Sequence, residues 1–232
     1  ISSIALSTNA DSVKGLNTLF GHTNSSVFSP LYCKGRTALW SLFESLKIKF
    51  PHKNKVIIPA YTGQSIAYAS ISSGLQINLC DINSQDLLYD LNQLEELTSS
   101  NCEEILAVIV PYCWGIGPLS KIKKIHNILR SKKIICIDDF ATAQITEQSI
   151  IDFFKKNSTF SLFSFGSTKV FSIFNGGIYS YSPELIEKMY QFTFNPIKVN
   201  LPKRRFVSKL TLLRWIDLQK VQNKSWYAKN GK

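Results

Sequence analysis

Lys169 sits in SLFSFGSTKVFSIFNGGIYS (residues 161–180), between two strand-like aromatic runs. Ser164, Gly166, Ser167 and Thr168 lie just before it, and Gly176 and Gly177 just after. A lysine desolvated among aromatics has its amine form favoured, and such lysines form Schiff bases with aldehydes and ketones. The plain alternative is a lysine snorkelling from a strand end. Two aspartates, Asp138 and Asp139, close the apolar run IICIDD. Neighbours on a strand face opposite sides, so at most one of them points into a site. A buried carboxylate needs a cationic or hydrogen-bonding partner; the alternative is that one of the pair caps the following helix. In CKGRTAL (33–39), Gly35 precedes a helix whose first turn holds Arg36 and Thr37. Free backbone N–H groups and the helix dipole make such an end an anion site, to which a guanidinium and a hydroxyl add hydrogen bonds. Glycine before a helix is also ordinary capping.

The elements that must position these groups follow from the periodicity. GRTALWSLFESLKIKF (35–50) has Leu39, Leu42, Phe43 and Leu46 at helical spacing. KVIIPAYT, LQINLCDI, EILAVIVPY, KKIICIDDFA, TFSLFSFG and GGIYSYS are strands. QSIAYASISSG (closed by Gly74), DLNQLEELTSS, LSKIKKIHNILRS with a basic outer face, and PELIEKMYQF are helices. Strands alternating with helices of this length predict an α/β fold: a parallel or mostly parallel sheet covered on both faces. Ligands of such sheets lie off the carboxyl ends of the strands. Lys169, the aspartates and the Gly35 helix start all fall there.

The bulk numbers narrow the class. The chain has 232 residues, is 44% hydrophobic and 19% charged, and so has ordinary globular composition. No apolar run is long enough to span a bilayer, so no membrane association is expected. The start, ISSIALSTNADSVKG, lacks the features of a signal peptide. Cys33, Cys80, Cys102, Cys113 and Cys136 form no CxxC pair or regular spacing. They are expected to be reduced thiols of a cytoplasmic protein, without a zinc site. The net charge of +11 is concentrated in residues 181–232, which hold eleven Lys/Arg against three Asp/Glu. No nucleic-acid motif accompanies this charge, so a solvated basic face is expected rather than nucleic-acid binding. Residues 1–30 are expected to form an arm with a short helix and residues 31–195 the main domain. Residues 196–232 are expected to form a basic linker and one helix bearing Val207, Leu210 and Leu213 on one face.

An anion-binding helix start, a strand-end aspartate and a lysine thirty residues later meet the needs of pyridoxal 5′-phosphate. The aldehyde needs a lysine, the pyridinium nitrogen a carboxylate, and the phosphate hydroxyls and N–H groups. The same stretches, GRTAL, VIIPAYTGQSIAYASISSGLQINLCDIN, YDLNQLEEL, ILAVIVPYCWGIGPLSKIKKI, IICIDDFATAQ and FSFGSTKVFSIFNGG, run in the order seen in the DegT/DnrJ/StrS family of PLP-dependent aminotransferases. From about residue 33 to 195 the chain resembles the large domain of that family, which has the aspartate aminotransferase fold (fold type I) and a seven-stranded type of sheet. The resemblance implies that Lys169 carries the cofactor as a Schiff base and shuttles protons. It implies that Asp139 binds the pyridine nitrogen, and that Ser164, Gly35, Arg36 and Thr37 bind the phosphate. It further implies a homodimer, an amino-acid donor such as glutamate, and a keto-sugar acceptor, typically nucleotide-linked.

Three features depart from the family pattern. Thr142 stands where a glutamine usually contacts the cofactor oxygen. Gly63 stands at the often aromatic ring-stacking position, leaving Tyr61 as the side chain able to cover that face. Family members also continue into a C-terminal small domain, so the chain is expected to be either a fragment or a shortened member whose substrate site is remodelled or lost. A related branch that dehydrates sugars has histidine in place of the lysine, and Lys169 argues against it. An aminotransferase is therefore expected. A non-catalytic partner subunit and a PLP enzyme acting on a non-sugar substrate are the competing readings.

Overall fold

The structure is a computed structural model, and it describes residues 27–29, 32–100, 102–143, 148–166, 169 and 176–197. Most of the expected N-terminal arm and nearly all of the basic tail, with its expected helix, lie outside the described residues.

Seven strands form one sheet: β1 (Val27–Phe28), β2 (Lys55–Pro59), β3 (Gln76–Cys80), β4 (Ile105–Pro111), β5 (Ile135–Asp139), β6 (Phe160–Ser164) and β7 (Gly177–Tyr181). Their spatial order is β1-β7-β6-β5-β4-β2-β3. The pairs β2–β3, β2–β4, β4–β5 and β5–β6 are parallel, whereas β7 runs antiparallel to β6 and β1 antiparallel to β7. Among the described residues six α-helices complete the layers: α1 (Gly35–Lys49), α2 (Gln64–Ser72), α3 (Leu91–Ser100), α4 (Leu119–Ser131), α5 (Gln148–Asn157) and α6 (Pro183–Tyr190). The expected mostly parallel, doubly covered sheet is thus observed.

Two apolar layers hold it together. On one face Leu39, Leu42, Phe43 and Leu46 of α1 pack with Val56, Ile58 and Ile109 of the sheet. On the other, Ile122, Ile125 and Leu129 of α4 and Ile150 and Phe154 of α5 pack with Ile57, Val108 and Val110. Each fully buried Leu, Ile or Phe contributes about 1.5–3 kcal/mol. Strand alternation divides the residues between the layers: in β2, Val56 and Ile58 go one way and Ile57 the other. Helix α2 ends in a Schellman motif. Gly74 has φ +70°, its N–H bonds the Ile71 carbonyl at 2.9 Å, and the Leu75 N–H bonds Ser70 at 3.0 Å.

Two elements are not anticipated from the sequence pattern. Strand β1 is two residues long, too short to show alternation. Helix α5 is short and shows only Ile150 and Phe154 as buried positions four apart. The antiparallel β7 matters most for the site. Strands β6 and β7 lie side by side, with Ser164 opposite Gly177, so the intervening segment, Lys169 included, leaves and re-enters the same end of the sheet.

Candidate functional site

The start of α1 is wedged against that end of the sheet by two glycines. A Cβ on Gly177 would lie 2.3 Å from the Gly35 Cα, and one on Gly35 would lie 2.9 Å from the Ser164 Cβ. No side chain fits at either place, so the first turn of α1 abuts Ser164 directly. The residue before the helix, Lys34, makes no side-chain capping bond, and the first turn holds no acidic residue. This helix end is therefore a cationic one, with Lys34 and Arg36 beside its N–H groups.

A cavity of about 240 Å³ opens at this place, lined by Gly35, Arg36, Asp139, Ser164 and Lys169. These come from the start of α1, the end of β5, the end of β6 and the β6–β7 connection. Ser65 and Ile66, in the first turn of α2, also line it, and Leu39 and Leu162 add apolar wall. Nothing in the sequence singles out Ser65 or Ile66. The rule that looks just after each strand points to their turn, which follows β2, but no charged or reactive side chain there marks it.

Three expected residues lie elsewhere. Thr37 lines a neighbouring groove with Trp40 and Tyr68, and its hydroxyl is 3.6 Å from Cys33 Sγ. Tyr61 is 64% exposed and is not among the residues lining the cavity. Thr142 is hydrogen-bonded to Cys113, which lies within electrostatic reach of Asp139 and Lys169. Gly63 caps α2, with nothing within 4 Å of where a Cβ would stand.

The two aspartates part as strand geometry requires. Asp139 faces the cavity. Burial pushes its carboxyl up to about 6, while the Ala141 N–H (2.9 Å to Oδ1) and the charge of Lys169 pull it back part of the way. Cys113 is likewise raised by desolvation and by Asp139, against the Thr142 hydrogen bond and Lys169. Asp138 is 0% exposed on the opposite side. Burial would raise it too, but attraction to His126 and hydrogen bonds from His126, Ser158 and Tyr112 hold it below the usual carboxylate range.

Two groups of side chains carry ligand-type donors, and one of them is open. The cavity combines a lysine amine, a carboxylate with an oxygen to spare and a cationic helix end, which matches the three polar parts of pyridoxal 5′-phosphate. The donor atoms of His126, Cys136 and Asp138 lie within 4.8 Å of one another, a set of metal-ligand types. Asp138 there already accepts from Tyr112 at 2.9 Å, His126 at 3.0 Å and the Ser158 hydroxyl. That cluster is closed by its own protons.

A sequence profile of the DegT/DnrJ/EryC1/StrS aminotransferase family matches residues 19–213. GDP-4-keto-6-deoxy-D-mannose 3-dehydratase of Yersinia pseudotuberculosis is 27% identical over 136 residues, covering 57% of this chain and 33% of that protein. Among solved structures, the Helicobacter pylori aminotransferase PseC, involved in pseudoaminic acid biosynthesis, superposes with a TM-score of 0.65. It is 18% identical over 89% of this chain and 56% of its own. Bacillus subtilis NtdA, solved with the cofactor pyridoxamine phosphate bound, superposes with a TM-score of 0.59. It is 20% identical over 84% of this chain and 42% of its own. The chain spans about a third of the curated relative and about half of each of these structures. The structural likeness is one of fold, the seven-stranded α/β sheet of PLP fold type I. The profile covers most of the chain and decides the relationship: this chain belongs to the DegT/DnrJ/EryC1/StrS aminotransferase family, whose members use pyridoxal 5′-phosphate.

Proposed function

We propose that this chain carries the cofactor half of a PLP-dependent aminotransferase, which moves an amino group from an amino acid, glutamate by preference, to a nucleotide-linked keto-sugar. The observation that carries the reading is the meeting of Lys169, Asp139, Ser164 and the start of α1 around one cavity. When bound, pyridoxal phosphate supplies an aldehyde and an electron-withdrawing ring, which together take up an amino group and stabilise negative charge at the neighbouring carbon.

The chain's own residues do the rest. Lys169 would hold the cofactor, its amine condensing with the aldehyde with loss of water, and its freed amine would then be the group placed to accept and return a proton. Asp139 would hold the protonated ring nitrogen, whose positive charge would offset the effect of burial and favour the ionised carboxylate. The N–H groups of the first turn of α1, Arg36 and the Ser164 hydroxyl hold the phosphate. Ile66 and Leu162, which line the cavity, would exclude water from the ring. A homodimer completes the assembly in this reading.

Purified protein with added PLP should turn yellow, and borohydride should bleach it; Lys169→Ala should abolish both changes. Glutamate should then bleach the wild-type colour, and a nucleotide-linked keto-sugar should restore it with an aminated product. Protein that stays colourless with PLP defeats the reading. A second reading rests on the dehydratase from Yersinia pseudotuberculosis: sugar dehydration instead of amination. Lys169 speaks for amination, and loss of water from the sugar without transfer of nitrogen would decide for the other.

A further inference from the structure

The network behind Asp139 is built from four segments of the chain. Asp138 Oδ1 accepts from the Tyr112 hydroxyl at 2.9 Å and from His126 Nε2–H at 3.0 Å; Oδ2 accepts from the Ser158 hydroxyl, which Ser161 joins at 2.8 Å. Tyr112 follows β4, His126 lies in α4 and Ser158 separates α5 from β6. Tyr112 does a second thing: its backbone N–H donates to the Asp139 carbonyl at 3.2 Å. One residue therefore grips both aspartates, the buried one by its side chain and the cavity-facing one by its backbone. The Tyr112 ring is itself clamped, stacked on Phe140 at 5.1 Å and edge-on to Phe154 at 4.6 Å. The next residue, Cys113, lies within electrostatic reach of Asp139 and Lys169.

We propose that Tyr112, with Asp138, His126 and Ser158, is a positioning device for Asp139: it fixes the end of β5 so that the cavity-facing carboxylate meets the cofactor ring nitrogen. The inference rests on the reading that Asp139 binds that nitrogen. The physical reason is strand geometry. Asp139 has a single recorded hydrogen bond to its carboxylate among the described residues, from Ala141, too little to fix it. The backbone one residue away is held by three donors on a dry carboxylate, and charge-assisted bonds in a dry interior are the strong ones. A carboxylate aimed at a small target gains from such prepaid order.

The test is a double-mutant cycle on PLP binding, read by absorbance titration and by the induced circular dichroism of the bound cofactor. Tyr112→Phe removes only the phenol oxygen and keeps the stacked ring. It should weaken PLP about tenfold, the loss expected for a hydrogen bond to a charged group, and diminish the induced signal while the far-UV spectrum stays unchanged. Asp139→Ala should weaken PLP more. In the Asp139→Ala background, Tyr112→Phe should have no further effect, because the group it positions is gone. Ser158→Ala, which acts on the other oxygen of Asp138, should repeat the pattern with a smaller loss. An equal loss from Tyr112→Phe in both backgrounds, or no loss in either, overturns the proposal and leaves the cofactor assignment intact. Wild-type protein that shows no Lys169-dependent binding of PLP overturns the cofactor assignment and the proposal with it.

Discussion

Asp138 and Asp139 are the same residue type, one peptide bond apart, and the fold treats them in opposite ways. Asp138 lies on the closed face of β5, with hydrogen bonds from three side chains, and its carboxyl is held below the usual range. Asp139 lies on the open face with one backbone donor, and its carboxyl is pushed up to about 6. Burial raises both; attraction to His126 and three side-chain hydrogen bonds more than offset it for Asp138, whereas one backbone donor and Lys169 offset it only in part for Asp139. A structural carboxylate is satisfied by its own protein. Asp139 is left short, and in the proposed reading its partner comes from outside. The opposite directions of the two pKa shifts thus follow from the two environments, where residue type and position in sequence are the same.

The sharpest way to break this comparison is to delete each carboxylate. Asp138→Ala leaves the Tyr112 hydroxyl, the His126 ring and Ser158 without their shared acceptor in the dry interior. It should cost about 3–5 kcal/mol of stability, seen as a lower midpoint in urea at unchanged slope. Asp139→Ala removes a carboxylate that the protein alone satisfies poorly. Its stability without cofactor should stay within about 1 kcal/mol of wild type, although PLP binding is weakened. Equal costs for the two substitutions would mean that the two faces are not different in kind.

The second test uses pH, where the two carboxylates have opposite signs. For Asp138 the folded pKa is depressed, so its stabilisation is present above the unfolded pKa and is lost as pH falls through the folded value. For Asp139 the folded pKa is about 6, above that of an unfolded carboxyl near 4. Between these values the folded state holds the extra proton, so stability from this group falls as pH rises from about 4 to about 6. The loss is at most about 3 kcal/mol and is trimmed by the water that reaches the cavity. Comparing wild type with Asp139→Asn, without cofactor, by denaturant titration at pH 4.5 and pH 7 isolates this contribution. The wild type should lose ground relative to Asp139→Asn as pH rises, and saturating PLP should remove the difference.

How much of this contrast is visible in the sequence depends on the range of the interactions. Continuous apolar runs such as ILAVIVP mark buried parallel strands, and the whole of β4 is indeed buried. Leu39, Leu42, Phe43 and Leu46 mark the buried face of α1 by spacing alone. Strand alternation says that only one aspartate can face the site, but it does not say which. That choice depends on Tyr112, His126 and Ser158, which are 26, 12 and 20 residues from Asp138. No local pattern encodes which helix face or loop those residues share. The antiparallel course of β7 is hidden for a related reason: the segment between β6 and β7 is long enough for a crossover, and only pairing with β6 settles its direction. Ser65 and Ile66 escape notice because neither side chain is unusual; only the meeting of α2 with the cavity gives them a role.

The smallest effect is expected from Cys136, the remaining polar neighbour on the closed face. Its thiol is 3.5 Å from Asp138 Oδ1 and 3.9 Å from His126 Nε2, and burial, with Asp138 nearby, holds it far above the ordinary thiol range. It therefore stays protonated and acts as a weak donor to a carboxylate that already has three better ones. Cys136→Ala should cost about 1 kcal/mol, from a weak contact and a little lost packing. PLP affinity should change less than twofold, since Tyr112 and the three strong donors remain. Cys136→Ser offers a stronger donor in the same place and should recover part of the loss. If Cys136→Ala instead cost as much as Asp138→Ala, the thiol would be an essential member of the network. The closed face would then be held by four donors of comparable weight rather than by three hydrogen bonds with a thiol filling the space beside them.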